Sequence, residues 1–501
     1  MVFASLPFLT VFLPLALLAY ALTPARQRNL TLLLSSWLFY GWWHPAFLLL
    51  FVMLTVCAWL SGLALDRVCR AEREAGSAGR SGVGSRRRSG VLLAALIVAN
   101  LAVLAWFKYA NIVMETVARL ATLHGAAPLA WQRIVLPIGL SFTVLQIISY
   151  LVDIRRGRFR AERRPIAFAT YLAMFGHLVA GPIIRYDWIR RRLRHRRLRW
   201  RNLCAGSRRF MVGLAMKVLV ADTLAPVVAQ VFGMDAPRFA DAWLGCLAYT
   251  LQLYFDFAGY SAMAIGIGTM LGFRFPENFA APYLAADLAG FWRRWHISLS
   301  SWLRDYLYIP LGGSRRGPIR TAANLLATMA LGGLWHGADS WNFLYWGVAH
   351  GLGLIVVHGW RASGLRLPTL CAHALTLLFV MMCWTLFRSP DLHTALALLA
   401  AQLHVEAVPP SVSLQDALRT PVVLAYAAGI VGVLLPALRR PMRRPACARQ
   451  ARADGASFRA VAALAGRTTM RCRTLLTCAA ALLSVALVAS RGTVPFLYFQ
   501  F

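Results

Sequence analysis

Residues 321–337 read TAANLLATMALGGLWHG, a run with no acidic or basic side chain until the histidine near its far end. It follows directly on a turn marked by Arg315, Arg316 and Arg320. The run is too apolar for a solvated helix, and it lacks the strict alternation of a half-buried strand. It reads as a helix that enters the membrane beside cytoplasmic arginines and runs outward. His336 lies sixteen residues past Arg320, which at 1.5 Å per residue puts it about 24 Å along a straight helix. That places the imidazole between the membrane centre and the outer half.

The same pattern recurs on both sides. Of 501 residues, 59% are hydrophobic and 14% charged, against about 25% charged in a soluble domain. At roughly 20 residues per span, the apolar content fills about ten to twelve crossings. The expected fold is an all-α integral membrane bundle of about eleven spans, with re-entrant and interfacial helices.

Fifty-three basic residues against nineteen acidic ones give a net charge of +34, and Lys108 and Lys217 are the only lysines. The arginines fall in blocks between apolar runs, as cytoplasmic loops require, so the charge does not point to nucleic acid. Nine scattered cysteines without a C-x-x-C pair indicate neither a disulfide framework nor a zinc site. No basic residue precedes Arg26, so the first apolar run reads as an uncleaved span with its N-terminus outside.

Leu6–Tyr20 crosses inward, Leu30–Phe39 outward and Ala46–Leu65 back, followed by a Gly/Ser/Arg-rich flexible loop from Asp66 to Gly90. Val91–Phe107 and Val135–Val152 form the next pair. Ile166–Ile184 has basic loops on both sides and is interrupted by Gly176, Gly181 and Pro182, which suits a broken or re-entrant helix. Arg185–Arg209 holds eleven arginines interleaved with Trp188, Leu193, Leu198 and Trp200, a basic amphipathic stretch suited to anionic inner-leaflet lipids.

Phe210–Phe232 follows. Ala242–Phe273 is too long for one span and is expected to break at Gly259, Gly266, Gly268 and Gly272. After the aromatic segment Arg274–Arg320, Thr321–Gly337 and Phe343–His358 form a tight pair. Thr369–Phe387, Val422–Leu438 and Thr474–Ser490 complete the bundle, with ten arginines in a cytoplasmic Arg439–Arg473. The whole, residues 1–501, is one polytopic domain: N-terminal helices 1–110, a core over 135–390 and C-terminal helices 420–501. Both termini are expected to be periplasmic.

Ionisable groups inside spans are costly and mark functional sites. His177, His296, His336, His350, His358 and His373 lie in or beside apolar segments, whereas His44, His124, His195, His393 and His404 read as loop residues. On a helix, His336 shares its face with Met329, Gly332 and Gly333. Two glycines beneath an imidazole are expected to leave a void, or else His336 packs and bonds to a carbonyl. Gly333 and Gly337 also form a small-xxx-small pair that lets another backbone approach. The second constellation, Phe291–Gly313, mixes Trp, Arg and Tyr around His296. It reads either as an interfacial aromatic belt or as a helix delivering His296 into the bundle.

Phe291–Gly313, Leu331–Ala338 and the Trp341-x4-Trp346-Gly347-x2-His350-Gly351 pattern together resemble the membrane-bound O-acyltransferase family, and within it the bacterial alginate O-acetylation branch. Phe3–Trp43, Leu136–Pro182 and Gln252–Tyr283 agree, as does the closing Pro495–Phe501, from which a complete chain is expected. The three arginine-rich loops depart from the family's pattern.

The resemblance implies a tunnel between a donor on one membrane face and an acceptor on the other. It puts the family's histidine at His336 and a second active-site position at His296, with Trp295, Ser298, Trp302, Asp305, Tyr308 and Trp335 along the tunnel. Low dielectric disfavours an imidazolium, so a buried His336 can act as general base toward an attacking hydroxyl, with His296 orienting the acceptor or donating to the oxyanion.

The implied donor is acetyl-CoA, used as a substrate, with no resident cofactor or metal. The implied partners are a periplasmic acetyltransferase-type protein and a polysaccharide acceptor, and the implied location is the bacterial inner membrane. D-alanyl transfer to teichoic acid is the alternative within the family. A transporter is the alternative outside it, although the internal repeats common in transporters are not seen. A purely structural scaffold gives no reason for the two histidines.

Overall fold

The structure, a computed structural model, describes residues 2–77, 85–125, 131–179, 181–337, 340–405, 409–411, 415, 418–438, 457–492 and 494–497. Every regular element among the described residues is helical. A π turn, Phe8–Phe12, opens into α1 (Leu13–Leu22), followed by α2 (Arg28–Gly41), α3 (Pro45–Ser77), α4 (Ser85–Leu123) and α5 (Leu140–Arg155). Four shorter or interrupted elements come next: α6 (Pro165–Ala173), α7 (Phe175–Leu178), α8 (Tyr186–Arg194) and α9 (Trp200–Ala215), the last leading through a π segment, Met216–Ala221, into α10 (Asp222–Val231). The remainder is α11 (Phe239–Met270), α12 (Leu288–Trp292), α13 (Ile297–Leu303) with a π turn Arg304–Tyr308, α14 (Gly317–His336), α15 (Asn342–Ala362), α16 (Thr369–Arg388), α17 (Leu392–Leu403), α18 (Thr420–Leu438) and α19 (Ser457–Arg491).

Among the described residues, six helices are long and apolar enough to cross a membrane: Pro45–Ala75, Arg88–Leu123, Trp200–Val231, Asn342–Ala362, Thr369–Arg388 and Thr474–Arg491. Phe8–Leu22, Leu392–Leu403 and Thr420–Pro436 are shorter apolar helices. Each apolar run of the sequence becomes a helix. Leu392–Leu403 is an extra one, and it carries His393, which the sequence assigned to a loop.

The expected break in α11 does not occur: the helix runs unbroken from Phe239 to Met270. Its glycines serve packing instead. A Cβ on Gly259 would sit 2.7 Å from the Gly213 carbonyl, and one on Gly266 would sit 2.7 Å from that of Gly206. Two glycines seven residues apart on α9 thus face two on α11, and the backbones of the antiparallel helices touch.

The Asp66–Gly90 loop also differs. Helix α3 continues to Ser77, carrying an Asp66–Arg70 ion pair at 3.2 Å, and the Ser89 amide donates to Glu72 at 2.8 Å. Paired charges let a polar sequence prolong the helix beyond its apolar part.

Ile166–Ile184 is broken as expected. The chain turns at Met174 between α6 and α7, where the freed Phe175 amide donates to Ser36 Oγ at 3.0 Å. The Arg185–Arg209 stretch forms α8, an extended link and the start of α9, with Tyr186, Ile189 and Leu193 buried. Arg196 turns inward onto Asn29 at 2.6 Å and over the Phe273 ring at 4.7 Å. The basic stretch Arg439–Arg473 lies outside the described residues up to 456, and its side chains lie outside them throughout.

Candidate active site

His296 stands at the start of α13 in the left-handed region, with φ +42°. For a residue with a side chain this conformation costs roughly 1–2 kcal/mol, so the surroundings must hold it. They do: the Ile297 amide donates to the Asn278 carbonyl at 2.9 Å, and Ala280 donates to the Arg294 carbonyl at 3.0 Å. The Asn278 side-chain oxygen accepts from Ser298 Oγ at 2.9 Å and from the Ser298 amide at 3.3 Å, and it lies 3.1 Å from His296 Nδ1. An oxygen committed as acceptor assigns the Nδ1 proton to His296, leaving the ring's lone pair on Nε2. The ring is 1% exposed and meets Phe257 edge-on at 4.7 Å.

His336 is the last residue of α14 and is buried. Its ring stands edge-on to Trp335 at 4.8 Å, Trp346 at 5.4 Å and Phe387 at 5.6 Å. Phe142 of α5 links the two histidines, its ring centre 6.4 Å from His296 and 5.4 Å from Trp335. Both imidazoles therefore belong to one aromatic cluster.

The void expected beneath His336 is not formed. A Cβ on Gly333 would lie 2.2 Å from the Phe343 carbonyl, and one on Gly332 would lie 3.3 Å from Leu303 Cδ1. Gly333 is spent on packing α14 against α15, the close approach that the Gly333/Gly337 spacing predicts, and Gly332 faces Leu303 of α13.

The described cavity lies elsewhere. It has a volume of about 720 Å³ and is lined by Arg185, Arg209, Arg274 and Arg304, by Trp188, and by Ser298 and Ser301. Of the expected tunnel residues it reaches Ser298 and Asp305. Ser298 is also bonded to Asn278, so one wall of the cavity is part of the His296 cluster. Trp335 joins the cluster at His336. Trp295 packs with Phe291 and Trp384, and Trp302 donates to the Leu145 carbonyl at 2.9 Å. Tyr308 packs at the Gly313 turn. His350 is fully buried, its Nδ1 accepting from Trp292 Nε1 at 3.3 Å, whereas His358 is exposed.

Several residues of this region carry no signal that the sequence reading used. Asn278 is an isolated amide. Lys108 was visible as one of two lysines, yet its place at the end of α14 depends on a contact spanning 228 positions. Lys217, Asp222 and Asp256 form a buried ion cluster, with Lys217 3.0 Å from Asp256 and bonded to Asp222.

Two acids outside the spans give the protein an acid limit. Burial pushes the Glu162 carboxyl up, but hydrogen bonds from Tyr186, the Arg164 amide and Arg194 outweigh it and hold it below its ordinary value. At Asp305 burial is likewise outweighed, by Arg304 and Arg185, each at 2.7 Å. A depressed carboxylate adds stability that is present above its unfolded value and lost as pH falls through its folded one. The detergent-solubilised protein should therefore melt at a constant temperature near pH 7 and progressively lower below about pH 4. Glu162→Gln should flatten that slope. An acid slope unchanged in the variant would remove Glu162 from the account.

Comparison with known proteins identifies the family. The model of the membrane-bound O-acyltransferase family matches residues 91–386, a span that contains His296 and His336. A protein named "Probable alginate O-acetylase" from Azotobacter vinelandii is 44% identical over 402 residues, covering 80% of this chain and 78% of its own. The Helicobacter pylori peptidoglycan O-acetyltransferase is 32% identical, covering 80% and 79%. A teichoic acid D-alanyltransferase from Streptococcus thermophilus is 27% identical over 44% of this chain. With a family match over more than half its length and relatives this similar, the chain belongs to the membrane-bound O-acyltransferase family and is a multi-pass membrane O-acyltransferase.

Proposed function

We propose that the protein transfers acetyl groups from a cytoplasmic donor, acetyl-CoA, toward an exported alginate-like polysaccharide, with His336 as general base. The observation that carries this reading is the joining of His336 and His296 in one aromatic cluster, one edge of which, Ser298, opens onto the arginine-lined cavity. Four guanidiniums line the cavity against two carboxylates, Glu277 and Asp305, which pair with Arg209, Arg185 and Arg304, and the net positive wall suits the phosphates of a nucleotide thioester. The similarity to alginate and peptidoglycan O-acetylases supports acetyl as the group and a polysaccharide as the final acceptor.

In this reading His336 takes the proton of an acceptor hydroxyl as its oxygen attacks the thioester carbonyl. The C–S bond breaks, and the thiolate leaves to be protonated. His296 orients the acceptor or steadies the developing negative charge. A dry aromatic cluster keeps water from competing for the acyl group. The acceptor is a periplasmic acetyltransferase-type partner or the polymer itself. The chain sits in the bacterial inner membrane, with the Arg185–Arg209 region against anionic lipid.

The test is the ester on the polymer. Cells making the intact chain, fed labelled acetate, should yield labelled acetate when their exported polysaccharide is treated with mild alkali. Release of D-alanine instead would overturn the acetyl assignment in favour of the teichoic acid type of reaction.

A further inference from the structure

The chain uses arginine almost everywhere it needs a cation, yet it keeps two lysines, and both are 3% exposed. Lys217 answers to two carboxylates. Lys108, on α4, answers to the end of α14: its Nζ donates to the His336 carbonyl at 3.0 Å and to the Trp335 carbonyl, and it lies 5.6 Å from the centre of the Trp335 ring. The next residue, Tyr109, donates its hydroxyl to the Leu334 carbonyl.

A helix leaves its last four carbonyls without partners along the helix. In α14 the Gly333 carbonyl is met by the Gly337 amide at 3.2 Å, and the other three are met by Lys108 and Tyr109. The residue that ends this helix is His336. A cation is also favoured at the negative end of the helix dipole.

We propose that Lys108 is the positioning residue of the active site: by gripping the Trp335 and His336 carbonyls, it fixes where α14 stops and hence where the His336 imidazole points. The inference rests on His336 being the general base. An ammonium carries three donors on a compact tip at the end of a flexible stem, so it can serve two successive carbonyls in a narrow buried space. A planar guanidinium has a fixed, wider fork. That difference accounts for a lysine here in a chain otherwise committed to arginine. Helices are commonly closed by a left-handed glycine, which satisfies carbonyls without tying them to a neighbouring helix; Gly337 follows His336 but is extended, with φ −86°, and meets only the Gly333 carbonyl. Lys108 instead anchors the catalytic end of α14 to α4.

The test uses inverted membrane vesicles from cells expressing the full chain, fed labelled acetyl-CoA, with alkali-labile product followed against donor concentration. Lys108→Met should keep normal membrane abundance and a KM within about twofold, while its maximal rate falls about 100-fold, the loss expected when a catalytic group is misplaced by an ångström. Lys108→Arg keeps the charge with the wrong shape. It should fall about tenfold in maximal rate at unchanged KM, and it decides the matter if the methionine variant fails to insert. Tyr109→Phe, which drops only the Leu334 bond, should stay within about threefold of wild type.

Wild-type maximal rates in Lys108→Met and Lys108→Arg, beside a silent His336→Ala, would overturn the role of Lys108 alone. Wild-type turnover in His336→Ala would overturn the general-base reading, and this inference with it. A rate that falls only in step with membrane abundance would make Lys108 purely structural and would also overturn the proposal.

Discussion

His336→Ala should leave the protein in the membrane at normal abundance and abolish acyl transfer. Removing a general base typically costs on the order of 10²–10⁴ in rate. Here the loss should be at the upper end, because the ring is enclosed by Trp335, Trp346 and Phe387, none of which can take a proton in its place. Abundance should hold because the substitution shortens one side chain at the end of α14 and leaves the close backbone packing of Gly333 against α15 in place. His350→Ala opens a cavity among Phe291, Trp292 and Trp346 and should be milder in rate. His358→Ala, at an exposed position, should be close to neutral. The measurement is polymer acetyl content beside membrane abundance for each variant. Wild-type acetylation with His336→Ala would remove His336 as the general base and move the chemistry of this acyltransferase to another residue.

The two histidines were legible because each sits in a local sequence that physical chemistry singles out: an imidazole at the end of an apolar run, and another amid Trp and Arg where lipid-facing residues would be aliphatic. The glycines were harder to read. Gly259 and Gly266 look like breakers in a long apolar run, and only the seven-residue spacing of Gly206 and Gly213 on α9 shows that they form a contact. That spacing lies in the sequence, but its meaning requires knowing that α9 and α11 are antiparallel neighbours. Gly332 and Gly333 misled for the same reason: missing side chains leave a void only when no neighbour fills it, and here Leu303 of α13 and the backbone of α15 do. Asn278 and Lys108 act on residues 18 and 228 positions away, so their roles belong to tertiary structure alone.

The ion cluster of Lys217, Asp222 and Asp256 shows how strongly such hidden contacts can count. Lys217 Nζ lies 3.0 Å from Asp256 and is bonded to Asp222, with Lys217 and Asp256 almost wholly enclosed. Asp256 also accepts from the Leu497 amide at 2.8 Å, tying the segment that carries Phe496 to α11. Phe496 stacks on Tyr260 at 4.4 Å and meets Phe257, the ring that in turn stands against His296. Lys217→Met would leave two carboxylates facing each other without their cation. Breaking a buried ion pair by removing one partner typically destabilises by about 3–5 kcal/mol. The detergent-solubilised variant should therefore melt well below wild type and accumulate poorly in membranes. Changing both acids to asparagine alongside Lys217→Met should restore much of the loss, because neutral amides tolerate burial where unpaired carboxylates do not. A Lys217→Met protein that melts like wild type would mean that the carboxylates are protonated or solvated, and that α11 is held to the C-terminal segment by its aromatic contacts rather than by charge.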